Sequence, residues 1–134
     1  MPRLRARSSE DSSRSDTQQR VALIVEDDRF VAEVLDEMLR DLGYGDVWQA
    51  RTESEALGIL ERESPDVAIV DTNLFGIPSY RVANRLQEDE VPFIVVTGYD
   101  PGKLPTAFAA ATILSKPVSQ VDLAAALSRV LTQD

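Results

Sequence analysis

The sequence contains no cysteine and no histidine. Without cysteine there is no disulfide, no thiol nucleophile and no Cys-ligated zinc. Without histidine there is no Ser-His triad, no imidazole acid/base group and almost no route to a transition-metal site. Chemistry is left to carboxylates, hydroxyls, lysine and arginine. Long apolar runs are missing too. The apolar runs are short segments such as Val67 to Val70 and Phe93 to Val96, far below the roughly 18–20 residues of a membrane span. No charged-then-apolar start resembles a secretory signal, so a cytoplasmic protein without a membrane partner is expected. Positive charge is scarce: 14 Lys+Arg face 23 Asp+Glu, a net −9. Nucleic-acid binding depends on neutralising phosphates, so a chain this acidic is not expected to take that partner. It is better suited to collecting a hard cation.

What is present suits one domain. The chain has 134 residues and a hydrophobic fraction of 43%, enough for a single core. Residues 1–19 stand apart, rich in Ser and Arg and nearly free of apolar side chains. The first 20 residues carry five Arg against three acids, which leaves −11 for the rest. Such a stretch has nothing to bury against its ordering entropy, so a disordered extension is expected. It reads as a solvated tail, or as a docking arm for an acidic surface. The folded domain is expected to begin at residue 20 and run to 134.

From residue 21 short apolar strands alternate with amphipathic helices. Val21 to Val25, Val67 to Val70 and Pro92 to Val96 are continuous apolar runs, the mark of strands buried on both faces. Asp46 to Gln49 and residues 112–115 are shorter strand candidates. Residues 29–42 repeat apolar groups at helical spacing, with Gly43 as the residue after the C-cap. Thr52 and Glu55 form a capping box at the start of a second helix. Tyr80, Val82, Ala83 and Leu86 mark a third. Ser119 and Asp122 open a last one. Asp71 to Pro78 reads as a loop. The order predicts an α/β fold: a flavodoxin-like, doubly wound, five-stranded parallel sheet with helices on both faces.

In such sheets ligands gather outside the carboxyl ends of the strands. Those ends carry Glu26-Asp27-Asp28, Asp71, Thr97-Gly98 and Lys116-Pro117. Three acids after the first strand exclude a phosphate cradle, which needs Gly-rich backbone there. Oxygen ligands with no His or Cys select Mg2+, Mn2+ or Ca2+, and Mg2+ completes a sparse carboxylate set with water and phosphate oxygens. Taken singly, each residue also fits a turn or a cap. Asp28 is read as a helix cap rather than a ligand. The conjunction at four strand ends is what argues for a site.

The segments VALIVEDD, VAIVDTNL, FIVVTGY and LSKPV, in this order, resemble the signature segments of two-component response-regulator receiver domains. The resemblance spans residue 21 to about 132 and implies a single-domain receiver. It implies that Asp71 is the phospho-acceptor. Glu26 and Asp27 match the acidic pair that holds Mg2+, with Asp27 a direct ligand and Glu26 acting at longer range. Asn73 matches the position whose backbone carbonyl completes the metal site. Thr97 matches the switch hydroxyl and Lys116 the ammonium that pairs with the phosphoryl group. Gly98 leaves room beside that group, and Lys116-Pro117 is expected to be cis. A histidine kinase or a phosphotransfer protein is the implied partner, and no turnover enzyme is implied.

Two departures stand out. The stretch between Thr97 and Lys116 is short and holds Pro101, Gly102 and Pro105, so the fourth helix of the fold is expected to be short or absent. The usual aromatic switch residue three positions before the lysine is Ile113. Tyr99 is an alternative reporter or a packing residue. The segments from Asp71 to Leu86 and from Val91 to Pro105 resemble stand-alone receivers found beside HWE-type histidine kinases in alphaproteobacteria. Two competing readings remain at this point. One is a phosphorylation-independent interaction module of the same fold. The other is a small Mg2+-dependent phosphatase using Asp71, for which no cap domain or substrate pocket is signalled.

Overall fold

The computed structural model describes residues 20–98, 108 and 111–131. The extension 1–19, Tyr99, Pro101, Gly102 and Pro105 lie outside them, as does most of the stretch expected to carry a short fourth helix. The elements are β1 (Val21–Val25), α1 (Arg29–Asp41), β2 (Asp46–Ala50), α2 (Glu53–Arg62), β3 (Val67–Asp71), β4 (Asn73–Leu74), β5 (Ile77–Pro78), α3 (Tyr80–Glu88), β6 (Phe93–Thr97), β7 (Thr112–Ser115) and α4 (Gln120–Leu131).

The five long strands form one parallel sheet in the order β2-β1-β3-β6-β7. The two central strands, β1 and β3, are buried at every position, which explains their unbroken apolar sequence. Period-two alternation divides their side chains between two cores. Ala22 and Ile24 pack with Leu35 and Leu39 of α1 and Leu123 and Leu127 of α4. Leu23 and Val25 face the other way, with Leu60 of α2 and Val82 and Leu86 of α3. The sheet is thus covered on both faces, the doubly wound arrangement that the alternation predicts.

Local signals act largely as read. Asp28 caps α1, accepting from the N–H groups of Phe30 and Val31 at 2.9 and 3.1 Å. Gly43 follows that helix at φ 105, a conformation only glycine adopts without penalty. Thr52 Oγ1 accepts from Glu55 N at 3.1 Å, but Glu55 reaches back to the N–H of Arg51 rather than to that of Thr52 (2.7 Å). Ser119 Oγ accepts from Asp122 N at 3.1 Å. The Lys116–Pro117 bond is cis.

One segment differs from its sequence reading. Residues 71–78 are not a plain loop. β4 and β5 pair as a small antiparallel hairpin, Asn73 with Pro78 and Leu74 with Ile77. Its two-residue turn is Phe75-Gly76, both at positive φ (54 and 83). Such a turn normally announces itself as Asn-Gly or Asp-Gly, and a bulky Phe in the first place hides it.

Candidate phosphoryl-acceptor site

The carboxyl ends of β1, β3, β6 and β7 do share one rim. Glu26 follows β1 directly, its N–H extending the ladder to Ala50 O at 3.0 Å. Asp71 is the last residue of β3 and Thr97 the last of β6. Lys116 comes one residue after β7, and its N–H donates to Thr97 O at 2.9 Å. Parallel pairing therefore fixes where these backbones lie before any side chain is placed.

The side chains converge on Asp71. Lys116 Nζ donates to Asp71 Oδ2 at 2.9 Å and stands 3.1 Å from Glu26 Oε1. Asn73 N donates to Asp71 Oδ1 at 3.1 Å, and Asn73 Oδ1 in turn accepts from Gly76 N at 2.8 Å. Asp27 Oδ2 accepts from the N–H of Phe75 at the hairpin tip, 2.8 Å away. Arg51 clasps the same corner. Its Nη2 donates to Asp27 O at 3.2 Å, and its guanidinium lies 5.7 Å from the Phe75 ring centroid. The hairpin is thus pinned over the β1 carboxylates.

Oxygen atoms of Glu26, Asp27 and Asp71 all lie within 4.8 Å of one another. Two of these residues, Glu26 and Asp71, are only 2% and 6% exposed, so three carboxylates crowd a poorly hydrated pocket against one lysine. Burial above all, and then the neighbouring Asp71, push Glu26 up from 4.5 to about 7, against the lowering effect of the Asp28 N–H and Lys116. Burial also pulls on Lys116, but its contacts with Asp71 and Glu26 outweigh it and raise the ammonium's pKa above the usual lysine value. Asp27 feels burial as well, yet the Phe75 N–H and its other donors leave it below the ordinary carboxylate value.

A hard divalent cation fits this set. Glu26 Oε2 accepts from Asp28 N at 3.0 Å. Its Oε1 is buried, and although Lys116 stands at ion-pair distance it makes no aligned hydrogen bond. A buried carboxylate oxygen beside two other carboxylates, in a chain with no imidazole or thiolate ligand, suits an oxygen-seeking ion. At Gly98 an added Cβ would meet nothing within 4 Å, so the space beside Thr97 is open.

Residues 22–128 match the family model of the response regulator receiver domain. The chain belongs to this family. As a receiver, it is 34% identical over 116 residues to an uncharacterized response regulatory protein of Vibrio cholerae, covering 84% of this chain and 48% of the relative. The chain spans between about a third and about half the length of the curated relatives it matches. Among solved structures it is similar to SdrG from Sphingomonas melonis Fr1 (TM-score 0.75, 32% identity, 84% of this chain and 97% of that one). It is also similar to the anti-anti-sigma factor PhyR from Bartonella quintana (TM-score 0.74, 26% identity, 94% of this chain and 52% of that one).

Glu26, Asp27, Asp71, Asn73, Thr97 and Lys116 thus lie at one rim of the receiver, the Thr97 hydroxyl bonded to Thr72, while Tyr99 lies outside the described residues. Sequence reading missed Thr72, Ser79, Phe75 and Arg51. Ser79 could have been found, because it precedes a helix. It makes no side-chain cap there and instead donates its hydroxyl to Asp71 O at 2.6 Å. Arg51 and Phe75 carry no sequence signal for their partners, which are 24 and 48 residues away.

Proposed function

We propose that this receiver accepts a phosphoryl group on Asp71 from phospho-histidine of a histidine kinase, of HWE type, or of a phosphotransfer protein. It then signals by protein–protein contact or passes the group on. The observation that carries the reading is Asp71 itself, a buried carboxylate at a strand end with Lys116 at 2.9 Å and two more carboxylates beside it. In the transfer an Asp71 oxygen attacks phosphorus in line. The P–N bond to the donor imidazole breaks, and its electron pair returns to that nitrogen. Lys116 meets the charge on the equatorial oxygens. Asn73 N–H and Lys116 Nζ together hold the Asp71 carboxylate in a fixed orientation. Asp27 and Asp71 would hold Mg2+, with the Asn73 carbonyl completing the set and Glu26 acting at longer range. When bound, the ion supplies neutralisation of phosphoryl charge.

A protein donor is supported by the surface next to Lys116. A groove of about 380 Å³ runs between Phe30, Val31, Val34 and Leu35 on one side and Pro117 and Val118 on the other. Phe30 is 76% exposed, an apolar surface suited to a partner helix. No helix of the described residues is long and apolar enough to cross a membrane. The proposed role is a cytoplasmic one. The chain works as a switch, not as a turnover enzyme.

The test is incubation with Mg2+ and acetyl phosphate followed by intact mass. Wild type gains one phosphoryl group and Asp71→Asn gains none. A wild type that stays unmodified, or an Asp71→Asn variant modified as fully, overturns the reading. One observation favours a phosphorylation-independent module instead. Ile113 stands in the small cluster of Ala83, Val95 and Phe108, where it offers no ring to turn. Partner capture indifferent to Asp71→Asn and to Mg2+ would establish that second reading.

A further inference from the structure

Thr72 is the residue after the phospho-acceptor, and it is buried. Its N–H donates to Val96 O at 3.1 Å, so it continues the β3–β6 ladder past its last assigned pair, Asp71 with Val96. The next laterally paired residues are then Thr72 and Thr97. Neighbours in a parallel register point to the same face of the sheet, and successive residues to opposite faces. Thr97 therefore shares a face with Thr72 and not with the Asp71 carboxylate. The hydroxyls bear this out: Thr72 Oγ1 donates to Thr97 Oγ1 at 3.3 Å, in a buried position. Thr97 must leave this partner to reach an oxygen carried by Asp71.

We propose that Thr72 is a positioning residue for the phosphoryl switch, its hydroxyl holding Thr97 on the face away from Asp71 until a phosphoryl group recruits it. The inference rests on the reading of Asp71 as acceptor and of Thr97 as its responding hydroxyl. Thr72 sets the balance between the two Thr97 positions, because its hydrogen bond exists in only one of them. One ordinary hydrogen bond corresponds to a shift of about fivefold in such a balance. The Thr72 hydroxyl meets the Thr97 hydroxyl, so its effect on the site runs through Thr97.

The test uses Mg2+ with beryllofluoride, a mimic of the phosphoryl group, titrated by NMR against wild type, Thr72→Val, Thr72→Ser, Thr97→Val and the Thr72→Val/Thr97→Val double variant. Thr72→Val binds the mimic about fivefold more tightly. Thr72→Ser, which keeps the hydroxyl, behaves as wild type. In the Thr97→Val background Thr72→Val changes nothing. In the free protein, without metal, the Thr97 methyl resonance and its χ1 couplings shift in Thr72→Val and not in Thr72→Ser. Thr72→Ala deletes the same hydroxyl with less bulk and stands in if the valine variant fails to fold. An unchanged affinity in the hydroxyl deletions, or the same gain with Thr97 already replaced, overturns the role of Thr72. A wild type that never takes the mimic overturns the acceptor reading and this inference with it.

Discussion

Ser79 donates its hydroxyl to the main-chain carbonyl of Asp71 at 2.6 Å, across a separation of eight residues. The N–H of Ser79 donates to Thr72 O at 3.0 Å. The two bonds close the β4–β5 hairpin at its base and fix the chain that carries the acceptor.

Replacing Ser79 by Ala leaves a buried carbonyl without this donor. A loss of about 1–2 kcal/mol in unfolding free energy is expected, read by urea denaturation. Because the same bond orients Asp71, the rate of modification by acetyl phosphate falls as well.

Glu26 gives the metal-free protein a pH dependence of definite sign. Its folded pKa of about 7 lies above the ordinary 4.5, so the folded state holds the proton more tightly. This contribution to stability is present below about 4.5 and is lost as pH rises through about 7. Asp27, lowered, contributes in the opposite sense over a more acidic range. The difference between wild type and Glu26→Gln isolates the Glu26 part. In EDTA, wild type loses stability relative to Glu26→Gln between pH 5 and pH 8, and urea midpoints measure it. Mg2+ affinity, measured by calorimetry, weakens below about pH 7 in wild type and loses that dependence in Glu26→Gln.

Helix α3 is capped from another element. Glu53 Oε2, at the start of α2, accepts from the N–H groups of Arg81 and Val82 at 2.9 and 3.1 Å. It supplies what Ser79, turned toward Asp71, does not. Glu53→Ala should cost about 1 kcal/mol, seen as a drop of several degrees in Tm. Phosphoryl acceptance should be unchanged, since Glu53 does not face the carboxylate pocket.

Gly76 sits at φ 83 in the hairpin turn, and a Cβ there would meet no atom within 4 Å. Gly76→Ala therefore costs backbone strain alone, on the order of 1 kcal/mol. The hairpin tip carries the Phe75 N–H that binds Asp27. Hydrogen exchange at Phe75 should accelerate in the variant, with the sheet amides unaffected.

The sequence by itself determined the sheet, the helices and the strand-end residues. Continuous apolar runs such as Val67 to Val70 call for burial on both faces, and period-3.6 stripes such as that of α1 for packing against a core on one face. Once parallel pairing is set, Glu26, Asp71, Thr97 and Lys116 must share an edge, and their short motifs are contiguous enough to read. Only the tertiary structure decided which groups meet across that edge. The partners Arg51 and Asp27, Phe75 and Asp27, Glu53 and Val82, and Thr72 and Thr97 are separated by 24 to 48 residues. Side-chain hydrogen bonds depend on distances of a few tenths of an ångström and on angle, and neither propensity nor periodicity carries that information. The hairpin belongs with them, since its Phe75-Gly76 turn lacks the usual signal and is held in place by contacts that exist only once the sheet has formed.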